Sequence, residues 1–382
     1  MQLILRLSCT QCDMWNFDMN ILVINDQSEN NNVIAISPEI VKKYVSNGHE
    51  VFIQNNIGIN SGWSNEDFKD CTIIDVTSKN IDNNNINIIL TSYPLKNSII
   101  KKLNKNTIVI GALDPYWNKD EVNALCERGI TSFSLDLIVR STKAQYMDIM
   151  SSQANLAGYK AVIEASHYLN RAIPMMITTA GTIPSAKFLI IGAGVAGLQA
   201  IATARRLGAK VSAFDVRKSA KEQVESLGAK FIEVNDNSIQ DGVYAKEMND
   251  NYKQAQKLKL AEVLPNQDVV ITTAQIPGKK APIILTADLI SLMKRDAIII
   301  DLAYKHGGNC EIHDSNSPII LGFDNILSLI PKDASILLSK NIYAFINYLK
   351  QFIMVNENIS TVNDEIVKST LLTHDYRIVH NI

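Results

Sequence analysis

The sequence predicts an α/β protein of two doubly wound parallel-sheet domains, the second inserted into the first. Three observations predict it. Short β-rich apolar runs alternate with helix-patterned segments along both halves of the chain, which argues for open, mainly parallel sheets. The segment 187–215 runs strand, glycine-rich turn, helix and strand in close succession. At 382 residues the chain is too long for one hydrophobic core and divides most naturally into two domains.

Taken in order, residues 1–18 read as an N-terminal extension with little structural role. Asp13 and Asp18 interrupt their apolar character, so they make a poor signal peptide. Cys9 and Cys12 form a Cys-x-x-Cys, but no second pair or histidine cluster stands near enough to complete a zinc site, and no metal is expected. The first domain spans 19–150 and 336–382. Strands are expected at 20–24, 50–54, 73–75, 86–90, 107–110 and 130–134, with helices at 38–47 and 119–128. Asn-rich patches around Glu29–Asn32 and Asn83–Asn87 read as polar loops. Small and apolar residues at helical spacing (Ala144, Met147, Met150, Ala154, Ala157, Ala161) predict a long amphipathic helix over 143–172. Pro174 and Pro184 then punctuate the passage into the second domain, 151–335. Its strands are expected at 188–191, 210–214, 230–233, 268–272 and 297–302, its helices at 245–261 and 286–293. A helix over 336–352 returns the chain to the first domain, which a short strand-rich tail completes.

Composition excludes several function classes. With 46% hydrophobic and 20% charged residues and a net charge of −2, there is no electrostatic case for nucleic acid or an anionic membrane as partner. No apolar stretch is long enough to span a bilayer. The five cysteines are scattered, which suits a reducing compartment better than a disulfide scaffold.

The motif at 187–215 carries the chemistry. An apolar run, Phe188 to Ile191, ends in Gly192, Gly194 and Gly197, and an Ala-rich helix pattern follows; a second strand delivers Asp215. Gly192 suits a tight turn, Gly194 a close approach of backbone to a pyrophosphate, and Gly197 close packing of helix on strand. The helix start offers free N–H groups and the positive end of its dipole to phosphates. Asp215 lies near the spacing of about 20 residues expected for an acid that binds the adenosine ribose hydroxyls. A Rossmann-like dinucleotide site follows. The carboxylate favours NAD(H) over NADP(H), because it would repel a 2′-phosphate, although Arg217 two residues later could accommodate one.

Further blocks extend the pattern: Ala-Ile-Ser-Pro-Glu (35–39), Met-Asp-Ile-Met-Ser-Ser-Gln-Ala-Asn-Leu-Ala-Gly-Tyr (147–159), Lys-Glu-Gln-Val-Glu-Ser-Leu-Gly-Ala (221–229), Tyr-Ala-Lys-Glu-Met (244–248), Thr-Thr-Ala-Gln-Ile-Pro-Gly-Lys (272–279), and Ile-Asp-Leu-Ala followed by Gly-Gly-Asn-Cys (300–310). With them the chain resembles the NAD(H)-binding component, domain I, of the proton-translocating NAD(P) transhydrogenases, from about Met19 to the C-terminus. The resemblance implies direct hydride transfer between NADH and an NADP(H) held on a partner domain, coupled to proton translocation. It also implies a membrane subunit and an NADP-binding beta subunit as partners, a homodimer of this subunit, and a cytoplasmic place on the inner face of the cell membrane. Because the chain stops at Ile382 without membrane helices, it resembles the split form of the alpha subunit.

The resemblance also assigns roles. It places Arg140, Gln145 and Asp148 against the nicotinamide and its ribose as the catalytic set, with Ser151 beside them. Val195, Asp215, Val216 and Arg217 match pyrophosphate and adenosine contacts. Val243 and Tyr244 fall in a mobile loop that closes over the nucleotide, where Val243 replaces an expected glycine. Gln256 and Gln275 complete the cofactor-binding set.

Two other readings stay open. Domain I resembles alanine dehydrogenase, whose pattern has an arginine, a lysine and a histidine where Val33, Leu90 and Val109 stand here; the apolar residues argue against an amino-acid dehydrogenase. A degenerate NAD-binding module acting as scaffold or sensor is the third.

Overall fold

In the computed structural model, residues 19–25, 31–105, 107–234, 250–312, 318–353, 359–380 and 382 are described. They form two compact units. One holds the described residues within Met1–Gln27, Ile34–Ile149 and Ser335–Ile382, the other those within Ser28–Val33 and Met150–Ala334.

The first unit opens with β1 (Asn20–Ile24), β2 (Glu50–Gln54), β3 (Thr72–Ile74), β4 (Ile88–Thr91), β5 (Ile108–Gly111) and β6 (Thr131–Ser134). The second contains β7 (Met176–Thr178), β8 (Gly181–Ile183), β9 (Lys187–Ile191), β10 (Lys210–Phe214) and β11 (Lys230–Phe231). It continues with β12 (Val269–Thr272), β13 (Ile298–Asp301) and β14 (Ile319–Gly322); β15 (Leu371–His374) and β16 (Arg377–Ile378) then return to the first unit. The first sheet has the order β16-β15-β6-β5-β4-β1-β2-β3 and the second β11-β10-β9-β12-β13-β14. All neighbours are parallel except β6-β15 and β15-β16. Strand order reverses once in each sheet, between β1 and β4 and between β9 and β12, and the carboxyl ends of those strands are where such folds receive ligands.

Strand periodicity explains why the second sheet forms. Phe188 and Ile190, with Val211, Ala213, Val269, Ile271, Ile298 and Ile300, face one layer of helices carrying Ala161, Val162, Ala165, Ala200 and Ala204. Leu189 and Ile191, with Phe214, Val270 and Ile299, face the other layer, packed on Tyr252, Leu260 and Leu289. Successive residues serve opposite faces, so both must be apolar, and the strand reads as an unbroken hydrophobic run.

Several elements among the described residues differ from the sequence expectation, the following four among them. The helix expected over 143–172 occupies Ile149–Tyr168. Residues Gln145–Met147 form a separate 3-10 turn, and Asp148 is extended at φ −74°, ψ 93°. The Tyr146 carbonyl, which a continuous helix would use internally, instead accepts from Asn341 Nδ2 at 2.8 Å. The helix expected over 245–261 is observed as Asp250–Val263, with residues 245–249 outside the described residues. Strand β14 is an addition, because a four-residue apolar run after a proline has no readable period. So is the hairpin β7-β8, whose six strand residues are all exposed and therefore lack the alternation of a half-buried strand.

That hairpin is tied down at its base. Arg171 donates from Nη2 to the Pro184 carbonyl (2.6 Å) and pairs through Nη1 with Asp268 (3.2 Å). Asp268 also accepts from the Lys187 N–H (2.7 Å) and from Lys294 Nζ (2.6 Å). Burial alone would push the Asp268 carboxyl up, but Lys294, the Lys187 N–H and Arg171 outweigh it and hold it below its ordinary value. With the folded value depressed, the stabilisation is complete above the unfolded carboxyl value of about 3.9 and is lost as the pH falls through the folded one. Asp268→Asn should therefore cost about 1–3 kcal/mol at pH 7. In urea unfolding from pH 7 downward, the gap to wild type should narrow below pH ~4; a gap independent of pH would show that packing, not charge, holds this corner.

Among the described residues, no helix is long and apolar enough to cross a membrane.

Candidate functional site

The turn after β9 is built by its three glycines in three different ways. Gly192 sits at φ +96°, a conformation side chains disfavour, and a Cβ there would lie 2.5 Å from Thr273 Oγ1. Gly197 lies against the turn itself: a Cβ would come within 1.8 Å of the Gly192 carbonyl oxygen. Gly194 is the opposite case, exposed, with no protein atom within 4 Å of where a Cβ would be. It is the N-cap of the twelve-residue helix Val195–Arg206, which has no side-chain cap and no acidic residue in its first turn. The first N–H groups of that helix and its dipole are thus directed at open space bordered by Gly194 and the half-buried Val195, a cradle suited to an anion.

Asp215 follows β10 and is buried, 8% exposed. Its Oδ2 accepts from the Ala193 N–H of the glycine turn (2.7 Å), which fixes the acid to the cradle. Arg217 supplies the other donors: its N–H (2.8 Å) and Nε (3.0 Å) to Oδ1, and Nη2 (2.9 Å) to Oδ2. Val216 between them packs on the core beneath the sheet. Gln275, on the loop after β12, is exposed and donates from Nε2 to the Leu302 carbonyl (3.1 Å). Gln256 is half-buried on the helix Asp250–Val263. Val243 and Tyr244 lie outside the described residues.

The remaining expected residues fall in different units. Arg140, Gln145 and Asp148 belong to the first; Arg140 and Gln145 are exposed, and Asp148 is half-buried. Their loop is held from outside: Asn341 binds the Tyr146 carbonyl, and Lys143 reaches Asp364 (3.4 Å) while lying 4.7 Å over the Tyr348 ring. Ser151 belongs to the second unit, on the helix Ile149–Tyr168. That helix meets the start of Val195–Arg206 at Gly158, where a Cβ would lie 2.0 Å from the Ala196 carbonyl oxygen.

Sequence reasoning missed a buried polar hub. Asp301, fully buried after the apolar run of β13, accepts from Thr272 Oγ1 (3.0 Å) and from the N–H groups of Ala303 (2.9 Å), Asn309 (2.7 Å) and Cys310 (3.1 Å). Asn309, also fully buried, clasps the loop after β12: its Oδ1 accepts from the Ala274 N–H (3.0 Å), and its Nδ2 donates to the carbonyls of Ala274 (2.8 Å) and Pro282 (2.9 Å). The same loop reaches the glycine turn, because Thr273 Oγ1 donates to the Gly192 carbonyl (2.9 Å). Cys310 is no nucleophile; burial and the Asp301 charge push its thiol far up. The signal was present in the sequence as an acid and an amide flanking Leu-Ala and Gly-Gly after a hydrophobic strand.

At the carboxyl edge of the first sheet, two polar side chains meet across its reversal point. Asn25 follows β1, Ser92 follows β4, and Ser92 Oγ donates to Asn25 Oδ1 at 3.0 Å. At the end of β5, Gly111 lies so close to the Thr91 carbonyl that a Cβ would meet it at 1.9 Å. Val33, Leu90 and Val109 are buried core residues, so their apolar character follows from packing; the strand ends are the informative positions for substrate chemistry.

Comparison with known proteins decides the family. A model described as alanine dehydrogenase/PNT, N-terminal domain, matches residues 22–157, and one described as alanine dehydrogenase/PNT, C-terminal domain, matches 161–381. The chain belongs to the alanine dehydrogenase/transhydrogenase family. Within that family it is similar to the first of the parts that make up the NAD(P) transhydrogenase alpha subunit of Rickettsia prowazekii, 40% identical over 95% of this chain and 97% of the relative. The corresponding Rhodospirillum rubrum polypeptide is 37% identical over 95% and 98% of the two chains. The solved transhydrogenase of Sinorhizobium meliloti superposes with a TM-score of 0.80 at 38% identity, covering 94% of this chain and 99% of that one. The transhydrogenase resemblance drawn from the motifs therefore stands, as does the two-domain α/β fold.

Proposed function

We propose that this chain is the NAD(H)-binding subunit of a proton-translocating transhydrogenase. The observation that carries the reading is the open cradle at Gly194 and the Val195–Arg206 helix start, with the Asp215 carboxylate fixed beside it. The pyrophosphate of NADH rests on the helix start, and Asp215 takes the adenosine ribose hydroxyls. Arg140, Gln145, Asp148 and Ser151 serve the nicotinamide end. There a hydride leaves NADH, giving NAD⁺, and reduces an NADP⁺ held by a partner beta subunit to NADPH; a membrane subunit couples the exchange to proton movement. No proton is exchanged at the two reacting carbons, so the transfer itself needs no acid–base pair. An alanine dehydrogenase would need cationic and acid–base groups for its oxo-acid. The names of the relatives, each a subunit, favour a multi-subunit assembly, and the proposed membrane subunit would hold this chain at the inner face of the cell membrane. A homodimer is favoured by the hairpin β7-β8, which exposes Met175, Met176, Ile177 and Ile183 on an anchored arm.

The test is binding and turnover. The chain should bind NADH, show no alanine-dependent reduction of NAD⁺, and support hydride transfer from NADH once membrane and NADP-binding subunits are added. Absence of any rate in the reconstituted complex would overturn the proposal. Within it, Gln145→Asn should slow transfer at least tenfold while leaving NADH affinity within a few-fold; lost affinity with an unchanged rate would make Gln145 an ordinary binding contact.

A further inference from the structure

A carboxylate has about four lone-pair sites, and four donors meet that of Asp215. Two are backbone N–H groups, from Ala193 and Arg217, set by the glycine turn and by the end of β10. The other two are side-chain nitrogens of Arg217, Nε on Oδ1 and Nη2 on Oδ2. The backbone donors have nowhere to go. The guanidinium can leave, because its side chain is 24% exposed while that of Asp215 is 6% exposed. Its two neighbouring N–H groups grip both carboxylate oxygens as a planar fork. Two vicinal ribose hydroxyls would present the same pattern, two adjacent donors to two oxygens.

We infer that Arg217 and the ribose diol of a dinucleotide compete for the same two positions on Asp215, so that Arg217 sets the affinity and the selectivity of the site. The inference rests on the NAD(H) reading above. Each binding event exchanges two guanidinium donors for two hydroxyl donors, and the apparent dissociation constant is the intrinsic one divided by the fraction of molecules in which the fork is open. The displaced guanidinium is released beside the ribose, where a 2′-phosphate would sit if one were present. A 2′-phosphorylated ribose has lost one of its two hydroxyl donors but gains that cation as a partner. Arg217 therefore works against NAD(H) and in favour of NADP(H), and it narrows the discrimination that Asp215 creates.

The experiment titrates the full chain with NADH and with NADPH, by fluorescence or calorimetry, for wild type, Arg217→Ala, Arg217→Lys and Asp215→Asn, with thermal melts to establish folding. Arg217→Ala should bind NADH about five-fold more tightly and NADPH no more tightly than wild type. Arg217→Lys keeps the charge without the planar fork and should fall between the two; it decides the matter should the alanine variant fail to fold. Unchanged or weaker NADH binding in both Arg217 variants would overturn the competition. The underlying reading fails separately: if Asp215→Asn binds NADH as wild type does, the acid does not hold the ribose, whatever the Arg217 variants do.

Discussion

Gly197→Ala is expected to abolish measurable NADH binding and to lower the melting temperature by several degrees. The added methyl would stand 1.8 Å from the Gly192 oxygen, 2.9 Å from the Gly192 carbonyl carbon and 3.5 Å from Ile190 Cγ2. These first two contacts are backbone, so no side-chain rotation relieves them. Either the helix Val195–Arg206 lifts from β9 by more than an ångström, or the turn at Gly192 changes shape. The turn has little freedom, because Gly192 is already at φ +96° with Thr273 Oγ1 bonded to its carbonyl. Overpacking against side chains typically costs 1–3 kcal/mol, and the backbone clash here should reach about 3 kcal/mol or more. For a unit of this size that is a fall of about 6–12 °C. Gly194→Ala is the control. Its methyl meets no protein atom, so the melting temperature should stay within about a degree, while NADH weakens at least tenfold because the methyl enters the cradle. Thermal melts and NADH titrations on both variants check the pair. Equal binding losses with equal stability losses would mean that the two glycines act only through the fold.

The contrast between these glycines also explains what the sequence made legible. The cradle is local: strand, turn, helix and Asp215 follow one another along the chain, and each residue type is demanded by its own backbone position. The mainly parallel α/β character of the second sheet could be anticipated for the same reason, because alternating strand and helix patterns leave few topologies open, whereas its sixth strand, β14, could not. Asp301 and Asn309 are a different kind of feature. Their importance lies in partners reached across the chain at Thr272, Ala274 and Pro282, and a sequence states residue types without stating who meets whom. The start of the helix at Ile149 is hidden for a related reason, since the carbonyl of Tyr146 is claimed by Asn341 from a helix far along the chain. The hairpin β7-β8 escapes because exposure on both faces erases the period by which strands are recognised.

Asp301→Ala should produce the largest loss of stability of any single side-chain truncation in the second unit, about 3–5 kcal/mol. The substitution removes an acceptor that satisfies Thr272 Oγ1 and three backbone N–H groups, all in a site with no solvent exposure at Asp301 or Asn309. A buried donor left without a partner costs about 1–3 kcal/mol, and local relaxation keeps the total below the simple sum. The effect should also reach the cradle. Asp301 holds the Asn309 backbone, Asn309 holds Ala274, and the adjoining Thr273 holds the Gly192 carbonyl. Each link is a direct hydrogen bond within one unit, so the chain of influence can be cut at a chosen point. Asn309→Ala cuts it while leaving the Asp301 carboxylate with its backbone donors. That variant should lose less stability than Asp301→Ala, yet weaken NADH about tenfold, because the loop bearing Thr273 and Gln275 is released. Urea unfolding at pH 7 and NADH titration on the two variants separate the contributions. If Asn309→Ala binds NADH as tightly as wild type, the hub supports the fold alone, and the turn at Gly192 keeps its shape without help from the loop after β12.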